Sequence, residues 1–160
     1  MSIHRPFARL GGALALCVLV GSDRPAAQPA AAQVLTKIKT LKCTFSLMAA
    51  GNWKSGGEPV AEIKPAKLSL GYDSIDTEEG TAHVTGGIGP GDIVVRLSGD
   101  ALHLLEVGSS SPIAVTSVFA RESQGGKLKA VHTRHEYTDA SVPGFTSKPE
   151  QYYGECQTGP

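Results

Sequence analysis

Three consecutive pieces decide the fold: Ile113-Ala-Val-Thr-Ser-Val-Phe-Ala120, Arg121-Glu-Ser-Gln-Gly-Gly-Lys127 and Leu128-Lys-Ala-Val-His-Thr-Arg-His-Glu-Tyr137. The outer two read as strands, and the Gly pair between them supplies the positive φ that a hairpin turn needs. The second strand also holds the densest cluster of chemically able side chains: His132, Arg134, His135, Glu136 and Tyr137. Successive strand residues point to opposite faces, so His132, Arg134 and Glu136 share one face while Thr133, His135 and Tyr137 share the other. His132 and His135 therefore cannot chelate one ion as neighbours.

Outward from this hairpin the same rhythm repeats. Residues 101–107 and 93–97 form strands separated by Gly99-Asp100, with further turns at 87–92 and 108–112. Residues 81–86 follow the turn Thr77-Glu-Glu-Gly80, and before it Leu68, Leu70 and Tyr72 alternate with Ser69, Gly71 and Asp73. Residues 41–47 alternate Leu41, Cys43, Phe45 and Leu47 against Lys42, Thr44 and Ser46, and 151–157 form the last strand. Val34, Leu35, Ile38 and Leu41 fit either one helical turn or a first strand. Residues 51–65, with three Gly, two Pro and Trp53, read as an excursion loop in which Trp53 packs as a lid. About seven to eight strands with short turns predict one all-β domain over residues 33–160. Its architecture is a single antiparallel meander, closed as a small barrel or folded as a sandwich.

The first 32 residues read as signal peptide and leader remnant. Arg5 and Arg9 precede an apolar run over 10–20, too short to span a membrane, and Val20-Gly-Ser22 or Ala30-Ala-Ala32 offers a cleavage site. Export to the periplasm or the cell exterior follows. From Gln33 onward 12 Lys and Arg face 14 Asp and Glu with no basic patch, which excludes nucleic acid as a partner. Without the leader, Cys43 and Cys156 remain, and two cysteines in an exported chain pair. That bond joins first strand to last and favours closure.

The fragments Tyr72-Asp-Ser-Ile-Asp-Thr-Glu-Glu-Gly-Thr81, Thr116-Ser-Val-Phe-Ala120, Lys129-Ala-Val-His-Thr-Arg-His135 and Gln151-Tyr-Tyr-Gly-Glu-Cys156 carry a likeness. Through them the chain resembles a group of small exported bacterial proteins of unknown function. The resemblance implies export and a single domain.

No Gly-x-Ser-x-Gly, Ser-x-x-Lys or phosphate-loop pattern occurs, and His83, His103, His132 and His135 lack metal-ligand spacing. The sequence thus implies no catalytic residue, no cofactor and no metal. It is read as an exported, non-catalytic binding or interaction domain for a small apolar ligand or a protein partner. The binding candidates are Trp53, His132, Arg134, His135 and Tyr137. Two alternatives stand beside it: a small hydrolase or metal-dependent enzyme using the His132/His135 strand, and a structural envelope-associated domain with a filled core.

Overall fold

A computed structural model describes residues 30–53, 57–86, 91–106, 113–135 and 149–159. Residues 1–29, 54–56, 87–90, 107–112, 136–148 (Tyr137 among them) and 160 lie outside the described residues. A short helix, α1 (Ala30–Thr36), precedes eight strands: β1 (Leu41–Trp53), β2 (Pro59–Asp76), β3 (Thr81–Gly86), β4 (Gly91–Ser98), β5 (Ala101–Glu106), β6 (Ile113–Glu122), β7 (Leu128–His135) and β8 (Glu150–Thr158). Each strand pairs antiparallel with its neighbour in sequence. β1 also pairs with β8, so the ladder runs round a closed ring. The all-β meander expected from the sequence is the observed fold.

The β6–β7 turn forms for the reason read in the sequence, and the structure adds side-chain bonds at this turn and at the β2–β3 turn. Gly125 and Gly126 both take positive φ, 83° and 73°. In the β2–β3 turn, Asp76 Oδ1 accepts the backbone N–H groups of Glu78 (2.8 Å) and Glu79 (2.9 Å), and these bonds hold the carboxyl below its ordinary range. Ser123 Oγ donates to Glu155 (2.8 Å) and Lys127 pairs with the same carboxylate, tying the β6–β7 turn to β8.

One end of the ring is closed by α1, whose Leu35 packs with Ile38, Leu41 and Ile75 in the buried core. Backbone bonds from Ile75 N–H to the Lys39 carbonyl and from Gly159 N–H to that of Thr40 hold the segment after the helix in place. Cys43 and Cys156 sit directly opposite each other on β1 and β8 and are bonded, so a covalent seam lies where first strand meets last. Both are buried. Among the described residues no helix is long and apolar enough to cross a membrane.

Two local readings differ from the structure and one open choice is decided by it. The face of β1 switches, because register slips between Phe45 and Leu47 against both neighbours. Leu47 is therefore 41% exposed instead of sharing the inner face of Phe45, and Met48 is buried in its place. Gly154 of β8 allows this: it sits opposite Phe45, where a Cβ would overlap the Thr44 carbonyl oxygen. Residues 51–65 are mostly strand, not loop: β1 and β2 continue past the ring as a two-stranded overhang, from Gly51 opposite Ala61 to Trp53 opposite Pro59. Of the two readings open for residues 34–41, the helical turn holds at Val34 and Leu35, within α1, while Leu41 opens β1.

Candidate functional site

Ring closure stacks the inward-facing residues into rows, because antiparallel partners directly opposite each other share a face. The row at the end away from α1 runs Glu150, Arg134, Ala114, Glu106 across β8, β7, β6 and β5. The next runs Tyr152, His132, Thr116, Leu104, and the third Gly154, Ala130, Val118, Leu102. The third row and those beyond it toward α1 are apolar. The first two carry most of the buried polar groups, which are stable there only when hydrogen-bonded or charge-paired.

In the second row the groups form a chain. Tyr72 reaches across from β2, placing its hydroxyl 2.5 Å from Thr116 Oγ1, and Thr116 Oγ1 lies 2.8 Å from His132 Nδ1. The chain runs in one of two senses set by the His132 tautomer: from the Tyr72 hydroxyl through Thr116 to Nδ1, or from Nδ1–H through Thr116 to the Tyr72 oxygen. The rings of Phe45 and Tyr152 flank the imidazole with centroids at 5.8 and 5.9 Å. Burial first, and the nearby Arg134 second, pull His132 down to about 4. Burial likewise holds the Tyr72 phenol well above its ordinary value.

The first row is a charge cluster. Tyr152 Oη donates to Glu150 Oε2 (2.5 Å), and Arg134 approaches the same oxygen at 3.8 Å. Burial, with help from Glu150, pushes Tyr152 up to about 12, while Arg134 pulls the other way. Glu106 sits at the far end of the row, its carboxyl raised by burial and lowered by Arg134. In this row, among the described residues, Arg134 is therefore the cation between two carboxylates, and Glu150 is only 3% exposed. Breaking such a buried pair by removing one partner is costly, on the order of 3–5 kcal/mol.

Of the five candidates read from the sequence, the structure brings two together. His132 and Arg134 face inward in adjacent rows, while His135 ends β7 on the outer, exposed side. Trp53 is 51% exposed at the tip of the overhang. It stands three residues beyond Ala50, the partner of Glu150, and so roughly 10 Å farther along the strand. Tyr137 lies outside the described residues. His103 faces outward with Nδ1 2.9 Å from Ser117 Oγ, and His83 lies 3.6 Å from Asp73, so neither converges on His132. Among the described residues no group of three His, Cys, Asp or Glu side chains could hold a metal ion.

The sequence reading missed Thr116, Glu106 and Glu150. Two of them carried a local signal: Thr116 shares the face of Ala114 and Val118, and Glu106 that of Leu102 and Leu104, each a polar residue at an otherwise apolar inward position. Glu150 gave none, standing at the first position of β8 after Pro149.

No family model, curated protein or solved structure matches this chain. The geometry must carry the functional argument alone. Thr116 and His132 have the composition of a nucleophile and its base, yet Thr116 is 1% exposed and a histidine held near 4 is a poor base at neutral pH. What the arrangement offers is hydrogen bonding, through the ring of His132, and above it the cluster of Arg134 with two carboxylates.

The depressed His132 fixes a pH dependence. Between pH 6.5 and about 4 the unfolded chain binds a proton that the folded chain does not, so stability falls as pH falls through that window. The full loss is about 3 kcal/mol. Glu106 works in the opposite sense just above its ordinary range, so the comparison is with His132→Gln, whose stability should change less across the same window. A proton NMR titration should place the His132 midpoint near 4. A midpoint close to that of a free histidine would show that the ring is not desolvated.

Proposed function

We propose that this chain is an exported, non-catalytic binding domain that takes a small ligand at the end of the ring away from α1. One observation carries the reading: that half of the interior is lined by Glu106, Thr116, His132, Arg134, Glu150 and Tyr152, while the half toward α1 is apolar and closed. Small closed barrels hold ligands in their mouths, with an apolar wall and a few convergent polar groups. A domain with a purely structural role gains little from burying Arg134 and Glu150, since apolar residues of similar size serve stability as well or better. Export is supported by the apolar leader and by the Cys43–Cys156 bond, which fits an oxidising compartment. Of the two cleavage sites, Val20-Gly-Ser22 leaves α1 whole, whereas cutting at Ala30-Ala-Ala32 removes its first turn.

The test is native mass spectrometry on protein exported to a periplasm and purified without chelator. The expected result is the processed chain less two hydrogens, plus a mass that leaves on denaturation. The His132→Ala/Arg134→Ala double variant, checked for folding by circular dichroism, should lose the extra mass. Its retention there would place the ligand elsewhere and sink the reading.

A further inference from the structure

A second concavity lies on the outside of the ring, on β6, β7 and β8, and the polar interior plays no part in it. Between the pairs Val118–Ala130 and Glu122–Leu128, β6 advances four residues while β7 advances two, so β6 bulges. The bulge carries Phe119 and Arg121, and bulges of this kind re-aim side chains. Phe119, Val131 and Tyr153, each on the outer face of its strand, line a groove of about 480 Å³ whose floor is the backbone at Ala130 and Gly154. That volume is in the range of small-molecule sites.

The charges around it are unequal. Arg121 donates to Asp100 at 3.3 Å, so these two compensate each other. Lys129 also lines the groove, and among the described residues it makes no hydrogen bond or ion pair. The carboxylate opposite it in register, Glu155, is taken by Lys127 and Ser123. The groove therefore presents an apolar wall with one uncompensated positive charge at its rim.

The geometry points to a binding site for a small amphipathic anion: an apolar ring or chain carrying one carboxylate. The body lies against Phe119, Val131 and Tyr153 and the carboxylate meets Lys129. A dent of this volume fits a free small molecule; a protein partner would need a much larger continuous surface, on the order of 800 Å² per side.

The test is an amide NMR titration of the processed protein with 4-phenylbutyrate. Saturable shifts with a Kd of about 1 mM or tighter should cluster on Asp100, Phe119, Arg121, Lys129, Val131 and Tyr153. Lys129→Met, which keeps the stem and removes the charge, should weaken binding by about tenfold, and Lys129→Arg should restore it. Three outcomes overturn the assignment: shifts that never saturate, shifts confined to Thr116, His132 and Tyr152 inside the ring, or equal binding of 4-phenylbutylamine, which carries the opposite charge. The outward position of Lys129 lets the variants fold, so each result is readable.

Discussion

Cys43→Ala, paired with Cys156→Ala to avoid a stray thiol, is expected to lower stability by about 5 kcal/mol, the loop-closure value for a separation of 113 residues. For a domain whose total stability lies at roughly 5–15 kcal/mol, that loss is a third or more of the whole. The melting temperature should fall by on the order of 15–20 °C. The position of the bond explains the size. It joins β1 to β8, the two strands farthest apart in sequence that the ring must bring together, so without it closure relies on backbone pairing and core packing alone. Both sulfurs belong to buried residues, so a mild reductant should leave the folded protein untouched and act only after denaturation. Equal denaturation midpoints for the wild type and the double variant would show that the bond contributes nothing to closure.

Phe45→Ala is expected to cost about 3–5 kcal/mol, the usual range for emptying a large aromatic site in a core. Phe45 is 2% exposed and sits opposite Gly154, in the row where Gly154 and Ala130 contribute almost no side-chain volume. Its ring lies 5.8 Å from the imidazole of His132, centroid to centroid. Removing it opens space beside His132. Because burial is the larger cause of that histidine's depressed midpoint, the midpoint should rise from about 4 toward the ordinary value. Chemical denaturation measures the first effect and an NMR titration the second. A variant that loses stability but keeps its midpoint would show that Phe45 packs without shielding His132. Phe45 and Cys43 lie two residues apart on β1, so the two changes should couple and their combined effect should depart from the sum.

The strands were legible because within the ring most of them alternate apolar and polar residues, and the Gly125–Gly126 pair and the run Thr77-Glu-Glu-Gly80 marked turns. Residues 51–65 were misread for a physical reason. Beyond the ring the overhang of β2 is exposed on nearly every side chain, so nothing selects alternation there, and its glycines and prolines read as loop. The β1 slip was hidden too, since Leu41, Cys43, Phe45 and Leu47 alternate without a break and only the contact with Gly154 shows where the face changes.

The candidate site divides in the same way. That His132 and Arg134 share a face follows from strand geometry within one segment. Which face points inward does not, because Thr133 and His135 opposite them are polar as well. Alone, the sequence determined the all-β class, the order of strands, the Gly turns and the two cysteines available to pair, all of them properties of short segments. Tertiary structure alone decided that Glu150, Arg134 and Glu106 form one row and that Tyr72 reaches Thr116 from 44 residues away. Closing the ring sets every register at once, and a register is a relation between strands that no single strand contains.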